Sequence, residues 1–218
     1  MAQAASGSSQ TRYSEVMPLD LIGIAEESTV RVEPERPLSA DEFFDFCQAN
    51  SLWRIERMAD GEIVIMPPSG DESSHHCAGL NAQLYSWAKR DGRGRVFESS
   101  AGFELPNGAT LSPDASWISS ARLSALAPEH KRKFAPICPD FVVEVQSPSD
   151  SVRRLKRKMH EWIENGAQLG WLILPDSKTV YVYRPGKEPE FLTNITQVAG
   201  DGPVEGFVLD LTEIWSEL

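Results

Sequence analysis

The sequence predicts a mixed α/β fold, α+β in the grouping of its elements, with a mixed central β-sheet flanked by helices. Two runs carry helical periodicity, residues 73–89 and 151–164, and short apolar runs bounded by Asp-Gly, Pro-Asn-Gly and Pro-Asp-Ser turns surround them. Several strands precede a strand, helix, strand unit over residues 141–174, an order that covers a sheet with helices. No internal repeat is visible, and 218 residues with 41% hydrophobic content suit one domain with a substantial core.

Taken in order, residues 1–12 are rich in Ala, Ser, Gln and Gly with little to bury and read as a disordered tail. Residues 13–38 are an irregular N-terminal extension, and the domain is expected over 39–218. Ser39-Ala40-Asp41-Glu42 has the form of a capping box and starts a helix that ends near Asn50. Residues 53–57 and 62–66 flank Asp60-Gly61 as a hairpin. At about 100° per residue, Cys77, Leu80, Leu84, Trp87 and Ala88 share one face of the next helix. Further short strands are expected at 95–99, 102–105 and 115–119, then a helical excursion over 120–133. Residues 141–146 form the central strand, 151–164 the second long helix, 171–174 and 179–183 a final strand pair. The apolar run 207–211 is expected to pack on an edge. The tryptophans fall mainly on core faces and read as packing.

Composition limits the function. Cys47, Cys77 and Cys138 show neither C-x-x-C spacing nor a disulfide pattern, which suits a reducing, cytoplasmic setting and argues against structural zinc. No apolar run reaches the roughly 20 residues of a membrane span, and the first ten residues lack the form of a signal peptide. A net charge of −11 disfavours non-specific coating of nucleic acid, although basic residues cluster at 89–95, 130–133 and 153–158.

The chemistry centres on the run Phe-Val-Val-Glu-Val at 141–145. A carboxylate inside a sheet core is costly unless something compensates it, so Glu144 needs a partner. Asp114, in Leu-Ser-Pro-Asp, stands at the mouth of another apolar strand because Pro113 pushes Ser112 towards extended geometry. If the two strands are neighbours, the carboxylates converge. At about 4 Å they would repel by roughly 4 kcal/mol at an effective dielectric near 20, which calls for a divalent cation or a shared proton. Oxygen ligands favour Mg²⁺ or Mn²⁺. Gln146 lies two residues beyond Glu144, on the same strand face. On the basic helix, Arg153, Arg154 and Arg157 point away from the buried stripe, and Lys156 and Lys158 lie on its flanks. Periodicity leaves these two lysines equal. His75 and His76 point about 100° apart on a helix and make a poor metal pair, and His160 with Glu164 reads as a surface contact.

Leu-Ser-Pro-Asp at 111–114, Pro-Asp-Phe-Val-Val-Glu-Val-Gln-Ser-Pro-Ser-Asp at 139–150, Lys-Met-His-Glu-Trp-Ile-Glu-Asn-Gly-Ala at 158–167 and Gly-Trp-Leu-Ile-Leu-Pro-Asp at 170–176 together resemble a bacterial family of restriction endonucleases. That family belongs to the PD-(D/E)XK nuclease superfamily, and the similarity spans residues 37–185. The resemblance implies a restriction-endonuclease-like core, Mg²⁺-dependent hydrolysis of phosphodiester bonds in DNA, and work as a homodimer. It makes Asp114 and Glu144 the two metal-binding acids, with the Val145 carbonyl as third ligand. Gln146 stands where the superfamily places a lysine, and the resemblance selects Lys158 as the replacement. Glu72, or His76 one turn later, would be the acid or polar group from the first core helix, with Glu72 preferred.

Overall fold

The computed structural model describes residues 29–216. Strand β1 (Val30–Val32) precedes helix α1 (Ala40–Ala49), which starts where the capping box places it. The Glu42 N–H donates to Ser39 Oγ at 3.3 Å, and the Ser39 N–H donates to Glu42 Oε2 at 2.9 Å. Strands β2 (Arg54–Arg57) and β3 (Ile63–Met66) form the hairpin, turned by Gly61 at φ +91° with its N–H on the Met58 carbonyl at 3.0 Å. Helix α2 (Asp71–Asp91) buries Leu80, Leu84, Trp87 and Ala88 and ends on Gly92 in the left-handed conformation. Then come β4 (Gly94–Glu98), β5 (Phe103–Glu104), β6 (Thr110–Leu111), β7 (Ala115–Ser119) and the short α3 (Ser120–Ser124). Strand β8 (Phe141–Val145), helix α4 (Val152–Glu164) and strand β9 (Leu169–Leu174) make the expected crossover unit. Strands β10 (Thr179–Tyr183), β11 (Glu190–Thr193), β12 (Gln197–Ala199) and β13 (Val208–Asp210) complete the chain.

A six-stranded sheet ordered β11-β10-β9-β8-β7-β4 is antiparallel except for the parallel pair β8 and β9, so it is mixed, as predicted. Its two faces bury separate cores. One gathers Leu80, Leu84 and Trp87 of α2 with Phe141, Val143 and Trp171; the other gathers Leu155, Met159 and Trp162 of α4 with Ile118, Val142 and Leu172. The alternation of Val142 and Val143 between them is the period of two of a strand covered on both sides. A second, five-stranded antiparallel sheet, ordered β1-β3-β2-β6-β5, has its own core around Phe43, Ile55, Ile63 and Ile65.

Two expectations change. Residues 30–32 lie inside the span read as an extension, yet β1 pairs antiparallel with β3, Val30 opposite Ile65; three residues are too few for periodicity to reveal. The tail expected at 1–12 lies outside the described residues. Residues 207–211 are not an edge: β13 pairs with β12, and Phe207, Leu209 and Leu211 are buried in the α2-side core, Phe207 stacked on Trp171 with ring centroids 5.8 Å apart.

Candidate active site

The antiparallel register of β7 on β8, Ala115 opposite Val143, brings Asp114 alongside the end of the central strand. The Asp114 N–H donates to the Val143 carbonyl at 3.0 Å, and one step further the Val145 N–H donates to Asp114 Oδ2 at 2.8 Å. The carboxylate thus takes the place of the next rung of the ladder. From α2, Asn81 Nδ2 donates to the Asp114 carbonyl at 3.0 Å; from β2, Arg54 Nη1 donates to Asp114 Oδ1 at 2.9 Å.

Glu144 meets α4. Lys158 Nζ lies 2.9 Å from Glu144 Oε1, and Trp162 Nε1 donates to the same oxygen at 3.0 Å. Lys158 and Trp162 are four residues apart and share a helix face. The ammonium also bonds Glu56 Oε1 at 2.7 Å and the Ser112 carbonyl at 2.9 Å, so its three hydrogens have three acceptors. Ser112 supplies further main-chain contacts: its N–H donates to Glu56 Oε1 at 3.1 Å, and its carbonyl also accepts from Arg54 Nη2.

Three carboxylates, Glu56, Asp114 and Glu144, therefore face two cations, Arg54 and Lys158. Glu56, Asp114, Glu144 and Lys158 are buried, with 1%, 7%, 2% and 9% of their surface exposed. Burial pushes the Glu144 carboxyl up to about 7, with Lys158 pulling it down and Asp114 pushing it up. Burial also works to raise Glu56, but the charges of Lys158 and Arg54 outweigh it and hold that carboxyl below its ordinary value. Burial works against the Lys158 and Arg54 charges too, and the surrounding carboxylates outweigh it, so both cations stay firmly protonated.

A cleft of about 490 Å³ opens on this cluster and is lined by Arg54, Glu72, Asp114, Glu144, Arg154 and Lys158, with the loops at 66–73 and 147–150 as its rims. The structure brings together Asp114, Glu144, Val145, Lys158 and Glu72. It does not bring in Gln146, because β8 ends at Val145 and the same-face rule lapses there; the Gln146 side chain turns to the Asp150 carbonyl at 3.4 Å. His76 is buried elsewhere, with Nε2 3.4 Å from the Ser216 carbonyl. Lys156 Nζ lies 3.9 Å from the Tyr181 ring centroid, so of the two lysines it is Lys158 that reaches the carboxylates. Arg154 corrects the helical-wheel reading. It stands on the first turn of α4, where its long side chain runs along the 147–150 loop to pair with Asp150.

Among the described residues no group of three His, Cys, Asp or Glu side chains forms a ready-made metal cage. Mg²⁺ does not require one, since it binds through one or two carboxylates and keeps several waters. The donor set fits that habit. Each carboxylate oxygen offers two lone pairs. Asp114 Oδ1 and Oδ2 each accept one donor, and Glu144 Oε2 accepts Lys158 at 3.1 Å, so each keeps capacity with its present partners in place. The N–H and C=O of an extended residue face the same edge, so the Val145 carbonyl lies on the Asp114 side.

Residues 40–212 match the model of the Uma2 family, described as "Putative restriction endonuclease". The chain belongs to the Uma2 family. The Uma2 match begins in α1 and ends past β13, so it contains every residue of the cluster. The crystal structure of "a putative nuclease belonging to DUF820" from Anabaena variabilis superposes with a TM-score of 0.68 at 23% identity, covering 82% of this chain and 98% of that one. That likeness shows the fold: a restriction-endonuclease-like core with a mixed sheet flanked by helices. No curated protein matches the chain. The Uma2 description supports nuclease activity in general terms.

Sequence reasoning missed Arg54, Glu56, Trp162 and Arg154 in this Uma2 site. One signal was present: Arg54 and Glu56 alternate in Arg-Ile-Glu-Arg, and charged residues at i and i+2 in a strand imply a polar partner on that face. Trp162, read as packing, is packed in the core, and its indole N–H is nonetheless committed to Glu144.

Proposed function

We propose that this Uma2 protein is a divalent-metal-dependent endonuclease that hydrolyses phosphodiester bonds in DNA. The observation that carries the reading is the meeting of Asp114 and Glu144 at the floor of a cleft, tied through the Val145 N–H, with Lys158 on Glu144. Asp114, Glu144 and the Val145 carbonyl would hold Mg²⁺ or Mn²⁺. Such an ion, when bound, neutralises phosphate charge and acidifies water. Lys158 and Trp162 fix the Glu144 carboxylate and compensate its charge, while Arg54 and the Val145 N–H do the same for Asp114. Arg154 on the cleft wall offers a guanidinium to a phosphate, and Glu72 on the first turn of α2 offers a further carboxylate near the mouth. The catalytic unit is residues 39–218 joined by β1, and a homodimer would let each subunit address one strand. Among the described residues no helix is long and apolar enough to cross a membrane, in keeping with a cytoplasmic setting as part of this proposal.

Supercoiled plasmid incubated with Mg²⁺ or Mn²⁺ tests the reading. The wild type is expected to nick or linearise it and to stop on chelation, while Glu144→Gln, similar in size and unable to carry the charge, loses at least about a hundredfold in rate. Equal cleavage by both proteins would remove this site from the chemistry. A second reading, a weak or inactive nuclease-fold module that binds nucleic acid or a protein, is favoured by the outward turn of Gln146 and by the commitment of all three Lys158 hydrogens. It predicts plasmid binding without cleavage.

A further inference from the structure

A second cavity, about 740 Å³, lies at the opposite end of β7 from Asp114, near Ser120. At about 3.3 Å per residue the six steps of strand between them span roughly 20 Å. Its lining is unusual for this chain. With 32 Asp and Glu against 21 Lys and Arg overall, the described residues around this cavity include Arg95, Lys131, Arg132 and Lys133 together with His130, and no carboxylate. Lys133 is already paired with Asp41 at 2.6 Å. Arg95, Lys131 and Arg132 are exposed and make no ion pair among the described residues; the Arg95 guanidinium donates only to the neighbouring Gly94 carbonyl at 3.1 Å. Half-buried Phe44, Phe97 and Phe134 form the apolar wall, with Phe97 edge-on to Phe103 at 5.7 Å between centroids.

We propose that this cavity binds a nucleotide of a single-stranded nucleic acid, its base against the phenylalanine wall and its phosphates against Arg95, Lys131 and Arg132. Cations beside aromatic faces are the chemistry by which proteins hold unpaired strands. A duplex would offer its phosphates to the basic rim but would keep its bases stacked away from the apolar wall. The proposal rests on the reading of this chain as a protein that handles nucleic acid, and it concerns binding rather than cleavage.

The test is fluorescence anisotropy of a labelled oligothymidylate of about ten nucleotides, with the full chain in chelator so that no strand is cut. The double variant Lys131→Glu/Arg132→Glu is expected to bind at least about tenfold more weakly and with a flatter salt dependence. Arg95→Glu should act in the same direction. Phe97→Leu, which keeps apolar bulk but removes the ring, is expected to cost about tenfold. Lys178→Glu/Lys187→Glu makes the same change in net charge on exposed turns beside β10, at the far side of the sheet from β4, and should stay within about twofold of the wild type. Equal losses in both charge-reversal doubles, an unchanged affinity in Lys131→Glu/Arg132→Glu, or no oligonucleotide binding by the wild type would each overturn the proposal. So would equal binding of a duplex together with a silent Phe97→Leu. If the strand binds as expected and plasmid is never cleaved, the nuclease reading fails and this one stands.

Discussion

Replacing Lys158 by Met removes one buried charge and keeps an unbranched apolar stem. Its ammonium lies 2.7 Å from Glu56, 2.9 Å from Glu144 and 2.9 Å from the Ser112 carbonyl, so the variant takes the cation from two buried carboxylates and one donor from a carbonyl. Removing one partner of a buried pair costs about 3–5 kcal/mol. For a chain of this size that is a fall in Tm of roughly 6–20 °C, at about 2–4 °C per kcal/mol. The loss should depend on pH. Glu144 is already raised to about 7 by burial, and without Lys158 it loses the charge that pulls it down, so the folded protein holds a proton there that the unfolded chain does not. A group raised in the fold gives its stability at low pH and loses it as pH climbs through the folded value. The deficit of Lys158→Met should therefore be smaller near pH 5, where Glu144 is protonated, than above pH 8, where it is ionised. Thermal unfolding followed by circular dichroism at both pH values measures it. A deficit that is equal at the two pH values, or under about 1 kcal/mol at both, would refute the buried network.

On the proposed reading the same carboxylate would set the acid limb of activity. Glu144 must be ionised to hold a cation, so divalent-ion affinity should rise through about pH 7, and the indole N–H resonance of Trp162, bonded to Glu144, should titrate with the same midpoint in metal-free protein; a flat response between pH 5 and 9 would contradict the burial of that group. Lys156→Met should leave plasmid cleavage within about twofold of wild type, because Lys156 lies over Tyr181, whereas a loss comparable to that expected of Glu144→Gln would reverse the assignment. Gly94→Ala would drive a Cβ to 2.3 Å from the Trp117 ring and 2.4 Å from the Ile118 carbonyl; a chemical denaturation curve is expected to show about 1–3 kcal/mol of lost stability, and none would mean that β4 sits further from β7 than described.

The parts legible from sequence were those with a local signature. The capping box at Ser39, the Asp-Gly hairpin and the apolar stripes of α2 and α4 each declare themselves within a dozen residues, and each is where it was expected. Asp114 and Glu144 were legible because a carboxylate in or beside an apolar strand is a local anomaly. Glu56 and Arg54 were not, because their partners are 102 and 60 positions away and only the docking of the five-stranded sheet beside α4 brings them in. Residues 207–211 were misplaced for the same reason: an apolar run shows that it is buried, and not against which layer. Gln146 shows the limit of strand periodicity, which holds only as far as the strand does.

The peptide at Ser112 receives Arg54 from the hairpin and Lys158 from the crossover helix, while its N–H holds Glu56. No side chain of Ser112 is used in these bonds, so among substitutions there only proline, which lacks the N–H, would delete one of them. The consequence concerns timing. Charge balance at the cluster exists only once both sheets and α4 have come together, so an intermediate with the six-stranded sheet formed and residues 30–66 still detached would carry Glu144 and Asp114 without Arg54 or Glu56 beside them. Opening of that smaller sheet, whose strands are short and whose core is modest, would disarm the cleft before the rest of the fold is lost. Such a chain would lose the charge balance of its cleft by loosening at one edge while the six-stranded sheet stays formed.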